Sequence, residues 1–314
     1  MNRRSFLAGA AVLTGGVRAA APIPIIDTHI HLFDTNRPQG VPWPSKTDKV
    51  LYRPALPERY IKIAKPLGIK GAIEVEASPL FEDNQWVLDL IANDKMFVGT
   101  VGDLEPGKPE FPKQLEHFHR NPLFRGIRYG NLWGRNLGAE LSKPEFVAGL
   151  KLLAQADMSL DTANPNPALI ADVVRVTDLV PNLRIIIDHL PQLEVPTDAS
   201  ARKQYESHLR EIGKHRQVYV KISQVFRKVN GKSSSNLSDY RENLDHLFET
   251  FGEDRVLYGS DWPNSELWKP YPEILGIVRE YFAGKGQSAS EKYFWKNSVA
   301  AYKWVKRSPD QPGA

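Results

Sequence analysis

Residues 24–34 read Pro-Ile-Ile-Asp-Thr-His-Ile-His-Leu-Phe-Asp, which sets His29 and His31 one residue apart at the end of an apolar run. Strand side chains alternate faces, so the two imidazoles point the same way. Two imidazoles on one face sacrifice core packing, so they either bind something or cap the strand. Other short apolar runs also end in polar groups: Glu74 and Glu76, Arg125 and Arg128, Asp161, Asp188 with His189, Lys221 with Ser223, and Ser260 with Asp261. Burying so many charges is costly unless they pair or do chemistry.

The elements that must position these groups recur at roughly thirty-residue spacing, a reading of run length and side-chain type. Strands are expected at Ile25–His31, Lys70–Glu76, Met96–Val101, Phe124–Tyr129, Met158–Thr162, Arg184–His189, Val218–Ser223 and Arg255–Asp261. Helix-like segments separate most of them: Phe81–Asn93, a helix opened by Lys143-Pro144, Asn166–Leu179 and Asp239–Phe251. Strands alternating with helices imply a parallel sheet with right-handed crossovers, and eight strands close a barrel. The expected fold class is therefore α/β, a TIM-like (β/α)8 barrel. A doubly wound open sheet usually shows a glycine-rich phosphate loop after its first strand, and none is present. Asn36–Pro57 and Asn230–Ser238 are expected as long loops at the strand ends, where barrels carry their sites.

The chain has 314 residues and no cysteine, which excludes disulfides, thiolate nucleophiles and cysteine-ligated zinc. Its net charge of +4 nearly vanishes once Arg3, Arg4 and Arg18 are set aside, leaving 38 bases against 37 acids. No basic excess supports a nucleic-acid or anionic-membrane partner. Those three arginines lie in residues 1–21, where a basic start, an apolar stretch from Phe6 to Val17 and Ala19-Ala20-Ala21 follow the order of an export signal. Arg3-Arg4-Ser5-Phe6-Leu7 resembles the twin-arginine consensus. The expected organisation is a signal at 1–21, one barrel at 22–305 and a disordered tail at 306–314. A periplasmic or secreted enzyme is expected, with the export machinery as a partner and no membrane contact after signal removal.

Taken in order, "IIDTHIHLF", "FRGIRYG", "IIIDHLPQ", "VYVKISQV" and "VLYGSDWPNS" resemble the amidohydrolase superfamily. They are most similar to its amidohydrolase-related branch and to lactonase-like members such as pyrone-dicarboxylate and sugar-acid lactonases. The resemblance implies that His29 and His31 match the pair that holds a divalent cation, usually zinc. It implies that His189 helps polarise the scissile carbonyl, that Asp261 is the general base, and that Arg128 or Arg125 meets substrate. Only one of those arginines should face the barrel, because residues i and i+3 of a strand point to opposite sides.

The fifth strand, Met158-Ser159-Leu160-Asp161-Thr162, lacks the histidine of metal-dependent members. Glu76 could replace that ligand beside His29, His31 and Asp261, since zinc accepts two histidines and one carboxylate. It could equally pair with Arg128 or Lys221, so metal-independent action stays open. Lys221 reads either as a barrel lysine or as a substrate contact, and Glu74 as half of a structural ion pair. The function expected from the resemblance is opening of a small lactone by water, with Asp261 as base. A decarboxylase of aromatic or muconate-type acids and a non-catalytic binder of small molecules are the alternatives. A small-molecule substrate is the expected partner, and homo-oligomerisation is left open.

Overall fold

The computed structural model describes residues 22–226, 228–229 and 232–313. The expected signal at 1–21 lies outside them. Seven strands, β1 (Ile25–Ile30), β2 (Ile69–Val75), β3 (Phe97–Gly102), β4 (Phe124–Arg128), β5 (Ser159–Thr162), β6 (Arg184–Ile187) and β7 (Val218–Lys221), pair in parallel in chain order. A short antiparallel pair follows, β8 (Lys228–Val229) with β9 (Lys232–Ser233), and then the eighth barrel strand, β10 (Val256–Leu257), pairs with β7. The ring closes through single bonds past the end of β10. Thr28 N donates to Tyr258 O (3.0 Å), Asp261 N to His29 O (2.8 Å) and His31 N to Trp262 O (2.7 Å). Gly259 permits this approach, because a Cβ there would stand 2.7 Å from the His29 Cβ.

Helices cover the outside at Phe81–Ile91, Pro144–Gln155, Pro167–Leu179 and Ser238–Phe251, each within a residue or two of the pattern in the sequence. Proline opens two of them, and the Asn166 side chain accepts from Leu169 N (2.8 Å) as an N-cap. The barrel interior holds Ile26, Ile73, Val75, Val98, Val101, Ile186 and Leu257. The end of the helix Asn297–Tyr302 and the residues just after it plug it from the strand-start end with Ala301, Tyr302 and Trp304.

Three expectations change. Asn230–Ser238 is not a plain loop: Lys232 and Ser233 pair with β8, and Ser238 already begins a helix. The described part of the tail does not run free, for Arg307 donates to the carbonyls of Asp94 (3.0 Å) and Phe97 (2.6 Å), and Gln311 is buried, donating to Lys95 O (2.6 Å). Asp94 and Lys95 lie in the turn after the helix Phe81–Ile91, and Phe97 opens β3, so the tail ties down the connection between the two. Glu74 has no ion pair among the described residues. It points away from the barrel interior, with Thr100 Oγ1 donating to Oε2 (2.5 Å) and no hydrogen-bond partner for Oε1.

Burial pushes the Glu74 carboxyl from 4.5 up to about 8, while the unfolded chain keeps the ordinary value. Between those values only the folded state holds the proton, so this contribution is present below pH 4.5 and is lost as pH rises toward 8. Glu74→Gln is expected to flatten the fall in Tm between pH 6 and 8 and to leave the variant more stable at pH 8.5. Melting curves across that range check it, and an unchanged slope contradicts it.

Candidate active site

The C-terminal ends of the strands converge on an open cleft of about 640 Å³, lined among others by His31, Arg128, Trp133, His189, Gln224 and Asp261. The two strand-1 histidines do share a face. Asp27, two residues earlier, does not follow them, because the β1–β2 register shifts between Asp27 and Ile30. Its carboxylate is buried between layers, accepting from Tyr271 Oη (2.7 Å), Tyr60 Oη (3.0 Å), Ser260 N (2.8 Å) and His29 N (3.2 Å). It therefore ties strand 1 to the closing turn.

Five strand ends supply the cleft with Trp133, Asn164, His189, Gln224 and Asp261, and each of these has φ between 50° and 59°. Left-handed backbone is strained for residues other than glycine, and such strain clusters where side chains must be aimed. At Asp261 it turns the carboxylate into the imidazole group. Oδ1 lies 3.2 Å from His31 Nε2, 3.5 Å from His189 Nε2 and 3.6 Å from His29 Nε2. Oδ2 is gripped by the side-chain amides of Asn264 (2.7 Å) and Gln224.

The other nitrogens fix roles. His31 Nδ1 sits 2.7 Å from Val75 O, an acceptor only, so Nδ1 carries the hydrogen and Nε2 presents its lone pair or a second proton to the cleft. His189 Nδ1 bonds Ser223 Oγ (2.7 Å). Burial opposes ionisation of Asp261, but His189, the hydrogen bond from His31 and the charge of His29 outweigh it and hold its carboxyl well below the usual range. Burial pushes His29 well down, helped by the positive charge of Lys221, and it pushes His189 down as well.

The donor set fits a divalent cation. His29 Nε2 and His31 Nε2 are 3.3 Å apart, with Asp261 Oδ1 close to both. Tetrahedral ligands at 2.0–2.1 Å from zinc lie about 3.3 Å from one another, and two histidines with one carboxylate leave a position open. A bare nitrogen 3.2 Å from an ionised carboxylate is repulsive unless a proton or cation lies between them. A second group, His29, Asp188 and His189, also lies within reach of an ion.

Other expected site residues fall elsewhere. Glu76 is not with the imidazoles. It accepts from Arg128 Nε (2.7 Å) and from the Trp133 indole (3.1 Å), because the guanidinium and the indole offer it directed hydrogen bonds, one of them charge-assisted. Arg128 also donates to Glu76 O (2.7 Å) and stays in the cleft wall. Arg125 is absent from the cleft. It is the second residue of β4, near the strand-start end, and donates to Tyr302 O (2.9 Å) beneath the barrel. Lys221 is fully buried under the cleft, bonded to Asp161 (2.8 Å) and 2.9 Å from Asp188, so substrate cannot reach it. Burial raises the Asp161 carboxyl against the pull of Lys221.

Gln224, Asn264, Trp43 and Trp133 were not singled out as site residues. Gln224 follows Ser223 directly and Asn264 comes three residues after Asp261, and this nearness to expected polar strand ends is the one signal that could have found them. Replacing Arg128 with alanine should lower kcat/KM by about 10²-fold, the scale of a lost charge-assisted contact, while Arg125→Ala should leave it within about twofold. Steady-state kinetics of the two variants side by side check this.

Comparison with known proteins places the chain in a family. Residues 26–304 match the model of the Amidohydrolase family. An L-fucono-1,5-lactonase of Burkholderia ambifaria is 26% identical over 248 residues, which cover 77% of this chain and 81% of the relative. An L-fucono-1,5-lactonase of Burkholderia multivorans is 24% identical over 281 residues, covering 88% and 94%. Among solved structures, an amidohydrolase of Burkholderia multivorans with bound zinc superposes with a TM-score of 0.78 at 22% identity, over 90% of this chain and 100% of that one. With a family match spanning almost the whole described barrel, the chain belongs to the amidohydrolase family and is a hydrolase of that family.

Proposed function

We propose that the protein hydrolyses a small lactone, of sugar-acid or dicarboxylate type, in the cleft at the strand ends. The observation that carries this is the placing of Asp261 Oδ1 among three imidazole Nε2 atoms at the base of an open cleft. The lactonase relatives support the choice of bond. Asp261 is ionised, and its Oδ1 takes a proton from the attacking water. Water adds to the ring carbonyl, the ring C–O bond breaks, and the proton reaches the departing ring oxygen, giving a hydroxy acid. His189, with Nδ1 held by Ser223, turns Nε2 toward the carbonyl oxygen and stabilises the charge that develops there. Gln224 and Asn264 hold Oδ2 so that Oδ1 faces the water. Arg128, steadied by Glu76, offers positive charge to a carboxylate or hydroxyl of the substrate. His29, His31 and Asp261 would hold a divalent cation, zinc being the best match, and when bound it supplies Lewis-acid polarisation of the carbonyl.

The residues before the described chain support export through the twin-arginine route to the periplasm or beyond. The test is a pH-indicator screen of sugar-acid and dicarboxylate lactones with the mature chain. Acid release from one lactone supports the reading. Carbon dioxide from an aromatic or muconate-type acid, with no lactone opened, overturns it.

A further inference from the structure

His29 Nδ1, the nitrogen turned away from the cleft, faces two groups of opposite kind. Lys221 Nζ stands 3.1 Å away and Asp188 Oδ1 3.5 Å away. An ammonium has donors and no acceptor, whereas a carboxylate only accepts. Lys221 donating to Nδ1 requires a bare Nδ1, and the neutral ring then carries its hydrogen on Nε2. A cation ligated by Nε2 requires the reverse: hydrogen on Nδ1, donated to an outer acceptor, the usual arrangement behind a metal-bound histidine.

Lys221 is not free to turn aside. It is fully buried on β7, donates to Asp161 Oδ2 (2.8 Å) and lies 2.9 Å from Asp188 Oδ1. Asp161 is itself held from below, where Tyr302 Oη of the plugging segment donates to Oδ2 (2.5 Å). Thus a chain of bonds runs up the barrel axis from the C-terminal plug to the back of His29.

We propose that Lys221, seated by Asp161 and Tyr302, sets the metal affinity of the His29–His31–Asp261 group by holding the metal-free His29 with its hydrogen on Nε2, so that loading requires the hydrogen to move to Nδ1, where it stays and is donated in a hydrogen bond to Asp188. Lys221 is then a positioning residue that weakens cation binding, and the site is tuned to exchange its metal rather than to trap it. This stands whichever substrate the cleft takes.

The test uses the full mature chain, stripped with chelator, and zinc alone as the probe. Nitrogen-15 imidazole spectra, with His29 assigned by the signal lost in His29→Gln, should show Nε2 protonated without zinc and Nδ1 protonated with it. Lys221→Met should show Nδ1 protonated already without zinc and should bind zinc at least about tenfold more tightly, the scale on which outer partners move metal affinity. Metal-free wild type with hydrogen on Nδ1, or a Lys221→Met variant that binds zinc no more tightly, would overturn the proposal. If Lys221→Met does not fold, the wild-type spectra with and without zinc decide it alone.

Discussion

Asp261→Asn is expected to lower turnover of the opened lactone by about 10²- to 10⁴-fold, the range for loss of a positioned acid–base group. The amide is isosteric, so the fold should survive. It still meets Gln224 and Asn264 on one side, but its neutral oxygen no longer accepts the proton of water or balances the three imidazoles. KM should change far less than kcat, because the carboxylate acts on the attacking water and not on the resting substrate. Steady-state kinetics with a circular-dichroism control check this. Turnover within threefold of wild type would remove Asp261 from the base role.

The second large effect falls on stability. Asp27→Ala should cost about 3–5 kcal/mol, since it leaves two tyrosine hydroxyls and two main-chain N–H groups buried without their acceptor. At this chain length that corresponds to a fall in Tm of roughly 10 °C. Asp27→Asn keeps one acceptor oxygen and should lose less. Burial raises the Asp27 carboxyl, with its hydrogen bonds pulling the other way. Because Asp27 joins strand 1 to the turn after β10, activity should fall along with stability. Thermal melts of both variants decide it, and an Asp27→Ala chain that melts with wild type would show the clamp to be unimportant.

Much of this was legible in the sequence because the barrel follows from local signals. The eight apolar runs became the eight barrel strands, with ends shifted by at most four residues, and His29 and His31 share a face as period 2 requires. The alternation rule also separated the two arginines of strand 4, of which only Arg128 lines the cleft. What stayed hidden depends on contacts far apart along the chain. Asp27 shares the period of the histidines, yet a register shift turns it out of the barrel, and no local pattern announces that shift. Glu76 was a candidate ligand by residue type, but its place beside Arg128 and Trp133 is set by two strand ends, those of β2 and β4, meeting. The plug formed by Tyr302 and Trp304 carries no local signal in the sequence. Its role appears only when the barrel floor exists to receive it. The left-handed turns at Gln224 and Asp261 occur in residues that rarely adopt them, so the aim of both side chains was invisible.

The account rests most heavily on water attacking a ring carbonyl beside Asp261. One turnover of a lactone substrate in oxygen-18 water, followed by mass spectrometry of the product, tests that directly. The prediction is one labelled oxygen in the new carboxylate and none in the released hydroxyl. Label in the hydroxyl, or a product that has lost carbon dioxide, would contradict it.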